Sequence, residues 1–222
     1  MSTDRQASPR INTEVFASMV RQVDHNERRT VFANAALQVI TRLGIEGLTV
    51  REVAREAGYT TGALTHYFRS KDELLIAASE HAAYVSRGDM DQVAEHSSAL
   101  EGLRRLVYSV LPTSALTRDR WRFWMAFWER AAHSPEVGKV MRERYREWTK
   151  RLTGLLKRAQ QDGEIGANLN VDHAARELVA LIDGIAVQVL IGSSRFTGPL
   201  QRQYVDSLLD LRLSPGPNAL PR

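Results

Sequence analysis

Helix-boundary signals lie close together between residues 49 and 70, and they limit this stretch to two short helices. The run Thr49-Val50-Arg51-Glu52 is a capping box, in which the hydroxyl and the carboxylate each satisfy a free backbone N–H, and Gly58 is placed to end the helix that it opens. Thr60 caps a second short helix through Phe68, and Ser70-Lys71-Asp72-Glu73 is a capping box for a longer one. Two short helices joined by a tight turn and packed on longer helices predict a helix-turn-helix unit.

The rest of the chain also carries helical patterns. From Asn26 onward the apolar residues recur at helical spacing, and no run of alternating β-branched residues predicts a strand. The first predicted helix covers residues 27–43, with Gly44 as its stop signal. Further helices are predicted to open at Ser98, near Asp119, at Ser134-Pro135, at Asn170 or Asp172, and after Pro199. We therefore expect an all-α fold of about nine helices.

The composition is that of a soluble globular protein. The 222 residues are 43% hydrophobic and 25% charged, and the absence of cysteine excludes disulfides and thiolate metal sites. The N-terminus has no apolar signal region, and the longest uncharged apolar stretch, residues 184–194, is too short to span a bilayer, so we expect a cytoplasmic protein without membrane contact. Residues 26–71 hold seven basic and four acidic side chains, a surplus that indicates an anionic partner such as double-stranded DNA.

The second short helix, residues 61–68, is the candidate recognition helix. Small residues at its start would allow it to enter a major groove, and Thr65, His66 and Tyr67 add hydrogen-bonding tips. Lys71 opens the next helix, where a phosphate would meet its charge together with backbone N–H groups. The candidate DNA-binding residues are Thr49, Thr60, Thr61, Gly62, Ala63, Thr65, His66, Tyr67 and Lys71.

Each of these residues taken singly has a second explanation that does not involve DNA. Thr60 is also explained as a helix cap, His66 as an exposed histidine and Tyr67 as half-buried packing. Leu64 and Phe68 lie one turn apart, so both are expected to face the core. The agreement of caps, turn and charge favours DNA binding for the unit as a whole.

These motifs resemble the DNA-binding domain of the TetR family of one-component transcriptional repressors. The resemblance rests on residues 48–54 (LTVREVA) and 57–62 (AGYTTG), and on Tyr67-Phe68, Ser70-Lys71 and Leu74-Leu75. Most relatives have a tyrosine three residues before the phenylalanine, whereas here that position is Thr65; similar small hydroxyl residues occur there in the BetI-type, choline-responsive branch. The resemblance implies operator binding as a dimer, with residues 60–62, residues 65–67 and Lys71 near DNA.

A second candidate site combines an aromatic helix with an acid. Residues 121–128 (WRFWMAFW) hold three of the four tryptophans, and on a helix Trp121, Trp124 and Trp128 share one face, with two phenylalanines on an adjoining face. Aromatic faces attract cations, and a cage of them binds quaternary ammonium groups. Asp183 stands in an otherwise apolar helix, where a carboxylate needs a partner. The candidate effector-binding residues are Trp121, Trp124, Phe127, Trp128, Tyr108 and Asp183.

Residues 124–128 and 180–184 resemble the C-terminal regulatory domain of BetI-type repressors, so the likeness covers roughly residues 27–213. It implies a homodimeric repressor that a small-molecule effector of unknown identity releases from a palindromic operator; the aromatic face suggests a cationic amine or a quaternary ammonium compound. The candidate dimer interface contains Leu178, Leu181, Ile182, Ile185, Val189, Tyr204, Leu208 and Leu211. Each of these assignments has an alternative. The periodicity at the candidate interface positions is equally consistent with an intramolecular core, and the aromatic stripe is also consistent with a core. Asp183 could instead form a hydrogen bond or ion pair with a neighbouring backbone group or arginine.

Four regions are expected. They are a flexible N-terminal extension at 1–25, in which residues 15–20 could form a short helix; a helix-turn-helix domain at 26–71; a regulatory and dimerisation domain at 72–213; and a disordered tail at 214–222. Paired histidine ligands, a serine elbow, a phosphate-binding glycine loop and a dinucleotide fingerprint are all absent from the sequence, so no enzyme activity, cofactor or metal is expected. The alternatives are a helical adaptor that binds a protein through the aromatic helix, and an enzyme without a recognisable motif.

Overall fold

The computed structural model describes residues 13–95, 97–193 and 195–213. Within them the chain forms nine α-helices and no strand, which confirms the all-α prediction. The helices are α1 (Thr13–Leu43), α2 (Val50–Ala57), α3 (Thr61–Tyr67), α4 (Lys71–Ala94), α5 (Ala99–Val110), α6 (Ala115–His133), α7 (Pro135–Gln161), α8 (Val171–Leu190) and α9 (Gly198–Leu213).

The start of α1 differs from the prediction. The helix expected at 27–43 and the short helix considered around residues 15–20 are one continuous helix that begins at Thr13. No glycine or proline stands between Val20 and Asn26 to interrupt it. Residues 1–12 of the expected N-terminal extension, and the expected tail at 214–222, lie outside the described residues.

The helix caps around α2, α3 and α4 form as predicted. The hydroxyls of Thr49, Thr60 and Ser70 accept hydrogen bonds from backbone N–H groups three residues later, at 3.2, 3.2 and 3.0 Å. Gly58 adopts a φ of 73°, the left-handed conformation that ends α2 and turns the chain into α3. The reciprocal half of the first capping box does not form, because the carboxylate of Glu52 accepts a hydrogen bond from Arg55 instead, at 2.6 Å.

Buried apolar side chains form two clusters. The first, here called the head core, joins α1, α2, α3 and α4 and includes Phe32 and Leu75. The second, here called the body core, is built by α5, α7, α8 and α9. Phe123 and Phe127 of α6 and Val137 of α7 belong to the head core, although they lie far from α1–α4 in the sequence. Helix α6 therefore packs its phenylalanine face into the head core, where it contacts α1.

Candidate nucleic-acid interface and effector cavity

Helix α3 presents one face to the core and the other to solvent. Leu64 and Phe68 are buried in the head core, as expected from their spacing of one turn. Among the predicted DNA-binding residues, the exposed ones are Thr49, Thr60, Thr61, Gly62, Thr65, His66 and Lys71. The core contacts of Leu64 and Phe68 thus fix which side of α3 is available to a groove.

Ala63 and Tyr67 are half-buried. The Tyr67 ring packs near Phe32 and His25, with ring centroids 5.4 and 4.6 Å away, and the Tyr67 carbonyl accepts a hydrogen bond from Arg29 Nη1 at 3.0 Å. The Arg29 guanidinium also lies 4.4 Å from the centre of the Phe68 ring. The packing role considered for Tyr67 is therefore present, and it anchors the end of α3 to α1.

Two further residues lie at the exposed surface beside α3 and are not among the DNA-binding residues predicted from the sequence. Val50 and Arg69 line one shallow hollow together with Thr65 and Lys71, where α2, α3 and the start of α4 meet. Their positions next to the caps Thr49 and Ser70 could have indicated them, because residues beside a helix N-terminus share its exposure. The hollow places a basic pair beside the exposed side of α3.

A cavity of about 630 Å³ lies between α4, α6, α7 and α8. Trp121, Trp124, Trp128 and Asp183 line it, so the structure brings together four of the six predicted effector-binding residues. The aromatic lining residues that the sequence interpretation missed are Tyr145 and Trp148 of α7. They are three residues apart and hence on one helix face, which is the signal that could have found them.

The aromatic wall has a defined geometry. The Trp128 ring stacks on Tyr145, with centroids 6.4 Å apart and planes inclined by 15°, and Trp121 meets Trp128 edge-on at 5.9 Å. Trp121 Nε1 donates a hydrogen bond to the Val110 carbonyl at 2.7 Å. Trp128 Nε1 is buried and has no acceptor among the described residues, so it is available to an oxygen atom of a ligand.

Asp183 is held in this wall by Tyr145, whose hydroxyl donates a hydrogen bond to Oδ2 at 2.7 Å. Burial raises the pKa of the Asp183 carboxyl to about 6, and the hydrogen bond from Tyr145 offsets part of that rise. Burial, followed by the bond to Asp183, raises the pKa of the Tyr145 hydroxyl. The partner that Asp183 needs is therefore a tyrosine, and above pH 6 the half-buried Asp183 adds one negative charge to the cavity lining.

The structure corrects two positions of the predicted effector site. Phe127 is fully buried in the head core and does not line the cavity, because it lies one residue, about 100° around α6, from Trp128. Tyr108 lies outside the cavity lining; its hydroxyl donates a hydrogen bond to Asp206, and the Arg202 guanidinium lies 5.6 Å from the centre of its ring. Tyr108 therefore ties α5 to α9.

The predicted dimer interface is also corrected in part. Leu178, Ile182 and Ile185 are each at most 2% exposed and belong to the body core of this chain, so the intramolecular alternative holds for them. Leu181, Val189 and Leu208 are partly buried against the same core. Tyr204 and Leu211 on α9 are exposed, at 46% and 77%. Periodicity located the apolar face of α8 correctly but could not say that α5, α7 and α9 cover it.

The exposed face along the second half of α8 carries two small residues and one uncharged polar residue, and no charged side chain. Ala180, Gly184 and Gln188 follow one another at spacings of one turn, and Ile191, just after the helix, is 72% exposed. A Cβ added at Gly184 would meet no atom of another part of the chain within 4 Å. This face and the exposed residues of α9 are the surfaces of α8 and α9 that remain open to another molecule.

Two short helices with an exposed face on α3, joined through α6 to a helical bundle that contains a cavity, are the architecture of a helix-turn-helix DNA-binding regulator. Residues 99–214 match the family described as "BetI-type transcriptional repressor, C-terminal", and residues 33–78 match "Bacterial regulatory proteins, tetR family". The chain belongs to the TetR family and carries the BetI-type C-terminal domain. This is a family of transcriptional regulators and not of enzymes.

Individual relatives agree with this assignment. The chain is 29% identical to the HTH-type transcriptional regulator PksA of Bacillus subtilis over 178 residues, 80% of this chain and 85% of the relative. It is 25% identical to the HTH-type transcriptional regulator BetI of Ectopseudomonas mendocina over 190 residues, 84% and 94% of the two chains. A transcriptional regulator from Saccharomonospora viridis, solved in complex with choline, is 25% identical with a TM-score of 0.77, covering 85% and 98%.

None of the helices in the described part of the chain combines the length and apolarity needed to cross a bilayer.

Proposed function

We propose that this protein is a homodimeric repressor that binds a palindromic operator and is released from it by a small molecule bound in the cavity. The observation that carries the proposal is the division of α6 into two faces. Trp121, Trp124 and Trp128 line the cavity, Phe123 and Phe127 are buried in the head core, and Trp124 also packs against that core. A ligand that displaces the tryptophan face therefore acts on the same helix that supports the DNA-binding head.

The operator contacts fall into two groups. Thr61, Gly62, Thr65 and His66 lie on the exposed side of α3, which would enter the major groove and contact base edges. Lys71 is exposed at the N-terminus of α4, where its ammonium group and the helix N-terminus favour a phosphate. The first group would give sequence preference, and the second would give affinity for any duplex.

The proposed effector class is a cationic amine or a quaternary ammonium compound. The cavity offers tryptophan faces and the half-buried carboxylate of Asp183, which are the groups that stabilise a desolvated cation. The complex of the related Saccharomonospora viridis regulator with choline supports this class. Choline itself fills only part of a cavity of about 630 Å³, so the effector is expected to be larger.

The proposed dimer interface joins the exposed face of α8, with Ala180, Gly184 and Ile191, to the exposed Tyr204 and Leu211 of α9. Two copies related by a two-fold axis would pack these helices as a four-helix bundle, in which the small residues allow close approach. Such a dimer requires recognition helices about 34 to 36 Å apart, so that they enter successive major grooves.

Release from DNA follows from linkage. A ligand that binds better to a conformation with a different separation of the two heads lowers operator affinity, and DNA lowers ligand affinity by the same factor. A preference of ~3 kcal/mol is sufficient for a ~150-fold loss of operator affinity.

The experiment that tests this function is selection of bound sequences from a random duplex library at near-physiological salt, with the full chain. Enrichment of a palindrome with half-sites about one helical turn apart is the expected result. The enriched duplex then serves as the probe for a screen of amines and quaternary ammonium compounds. Weak, salt-sensitive retention of all sequences alike would contradict the proposal, because it would mean that the two heads are not positioned for specific recognition.

A further inference from the structure

We propose that the effector is a protonated amine with a large apolar body, and that its N–H group donates a hydrogen bond to the carboxylate of Asp183. This inference rests on the proposed role of the cavity as the effector site, and it selects one of the two chemical classes named there. A quaternary ammonium group has no N–H to donate, so a compound of that class is expected to bind more weakly.

Asp183 has hydrogen-bonding capacity that the protein does not use. Its Oδ2 accepts a hydrogen bond from the Tyr145 hydroxyl at 2.7 Å, and no other residue in the described part of the chain donates to this carboxylate. An ionised carboxylate has about four acceptor positions on its two oxygens. Because the Asp183 side chain is half-buried in the cavity lining, the carboxylate retains acceptor positions for a donor that enters the cavity.

The charge of Asp183 is not compensated by a neighbouring cation. Among the described residues, no arginine, lysine or histidine forms an ion pair with it. The other acidic lining residue, Glu147, differs, because its Oε2 lies 2.9 Å from Arg144 Nη1. The basic lining residue Arg151 has its own partner, Asp91, at 2.9 Å. A half-buried carboxylate with only a phenol as its partner favours a cation in the adjacent cavity.

The aromatic lining residues contact one another instead of surrounding one point. The rings of Trp128 and Tyr145 are inclined by only 15°, with centroids 6.4 Å apart, so each shields the other on one side. Trp121 meets Trp128 edge-on at 5.9 Å. Recognition of a quaternary ammonium group uses a cage of free ring faces around the cation. These three rings instead form a row, which suits an apolar body that lies along it.

The remaining lining defines the apolar body of the ligand. The aliphatic lining residues include Met90, Val110, Met141 and Ile182. On α7 the lining extends from Met141 to Gly154, or about 20 Å of helix. In a cavity of about 630 Å³ with this lining, burial of apolar ligand surface supplies most of the affinity, whereas a bond to the carboxylate fixes the orientation of the ligand.

The N–H group is what separates the two chemical classes. A hydrogen bond between an ammonium N–H and a carboxylate is shorter and roughly twice as strong as one between neutral groups. A quaternary ammonium group keeps a methyl group between its nitrogen and the carboxylate oxygen, so its attraction to Asp183 acts over a longer distance and without a hydrogen bond. The preference for an amine is therefore measurable with two ligands that differ by a single methyl group.

The test compares three probes that share a decyl chain, namely N,N-dimethyldecylamine, the decyltrimethylammonium ion and decanol. The amine is protonated at pH 7.5, because the pKa of an alkylamine is about 10. Each probe is titrated into the full-length protein by calorimetry. We expect the amine to bind at least about tenfold more tightly than the trimethylammonium ion, and decanol to bind more weakly than the amine.

Two matched substitutions locate the hydrogen bond. Asp183→Asn and Glu147→Gln each replace a lining carboxylate with its amide, but only Glu147 has a cationic partner in Arg144. Asp183→Asn is expected to reduce the advantage of the amine over the trimethylammonium ion to less than about threefold, because a neutral acceptor forms a weaker bond. Glu147→Gln should preserve that advantage. Thermal unfolding checks that both variants fold, and the comparison of probes on the unsubstituted protein depends on neither variant.

The inference is overturned if the trimethylammonium ion binds as tightly as the amine, if Asp183→Asn leaves the advantage of the amine unchanged, or if no probe binds. Operator binding is measured separately on the selected duplex. If the trimethylammonium ion binds as tightly as the amine and releases the operator, the hydrogen-bonded amine is wrong and the proposed function holds. If the amine binds as expected but no probe changes operator affinity, the binding inference holds and the proposed release mechanism fails.

Discussion

Asp72 in the first turn of α4 and Arg130 in the last turn of α6 form a bidentate ion pair. Arg130 Nε donates to Asp72 Oδ1 at 2.7 Å, and Nη2 donates to Oδ2 at 3.0 Å. Ser134, the C-cap of α6, donates a third hydrogen bond to Oδ2 at 2.8 Å. The hydrogen bonds from Arg130 lower the pKa of the Asp72 carboxyl. Because Lys71 precedes Asp72, this pair connects the end of the cavity helix to the residue proposed to bind phosphate.

We predict that Arg130→Gln weakens the coupling between effector and operator. Substitutions along a coupling route typically change the coupling by about 0.5 to 2 kcal/mol, which corresponds to about a 2- to 30-fold smaller effect of the ligand on operator affinity. The measurement is operator affinity by fluorescence anisotropy with and without a saturating ligand. Arg122→Gln is the control, since Arg122 pairs with Asp119 on the same helix. Equal loss of coupling in both variants would contradict a specific role for Arg130.

We predict that Lys71→Ala weakens binding to matched and scrambled duplexes alike, because a phosphate contact carries no sequence information. The slope of log affinity against log salt should fall by about 1. Lys157→Ala, an exposed lysine on α7, should change neither.

His66→Ala and Thr65→Ala are predicted to act differently. Both residues are exposed on α3, so their loss should change the preferred operator sequence, at a cost of about 1 to 3 kcal/mol on the matched duplex and little on the scrambled one. Library selection with each variant measures this directly. A uniform loss on both duplexes would move these residues to the phosphate-binding group.

For the cavity, we predict that cation binding weakens as the pH falls below about 6, since the pKa of Asp183 is raised to about 6 and protonation removes its charge. Asp183→Asn should bind the same cation weakly at every pH. Calorimetric titrations between pH 5 and 8 compare the two proteins. A pH profile that is the same in both would assign the dependence to another group.

The same shift makes a prediction for stability. The pKa of Asp183 is about 6 in the folded protein and takes its ordinary value of 3.8 in the unfolded chain. Between these two values the folded protein binds more protons than the unfolded chain. The contribution of Asp183 therefore lowers the free energy of unfolding as the pH rises from about 4 to about 6. Asp183→Asn should therefore stabilise the protein at pH 7.5 by about 1 to 2 kcal/mol, less than the roughly 3 kcal/mol of the whole shift because the side chain is partly exposed. Denaturant unfolding at pH 4 and 7.5 measures the difference. Destabilisation at pH 7.5 would contradict it.

For assembly, we predict that Gly184→Glu produces a folded monomer. A Cβ at this position has open space around it and residue 184 is exposed, so we expect the fold to tolerate the substitution, whereas it places a charge in the proposed α8 interface. Gly88→Glu on α4 is the control, since its position is equally open. Sedimentation measures the mass of each variant. A dimeric Gly184→Glu protein would remove α8 from the interface.

The parts of the fold that sequence predicted well are those with local causes. The caps at Thr49, Thr60 and Ser70 each depend on residues within one helical turn, and all three hydroxyls make the expected bonds. The predicted start of α6, near Asp119, is later than the observed start at Ala115, because the capping box of α6 uses Ser114 and Thr117 in place of the usual glutamate.

The candidate site was predicted less completely because its geometry depends on distant packing. The spacing of the tryptophans located the part of the cavity lining that α6 supplies, but the rest of the aromatic lining comes from Tyr145 and Trp148 of α7, which stand in no aromatic run. Phe127 and Trp128 are neighbours in sequence, and only the packing of α6 on the head core decides that one is core and the other cavity. The apolar face of α8 was found, but which partner covers it is a property of the whole bundle.

The membership of Phe123, Phe127 and Val137 in the head core has a consequence for building hybrid sensors from this repressor. Consider a chimera joined between the two matched segments, after residue 78 and before residue 99. Its transplanted DNA-binding domain would lack the two α6 phenylalanines that belong to the head core. Removing large buried aromatics typically costs about 3 to 5 kcal/mol each, a large fraction of the stability of a small domain. The exchangeable module is therefore residues 13–78 together with the phenylalanine face of α6, and a donor body must supply equivalent rings at those two positions.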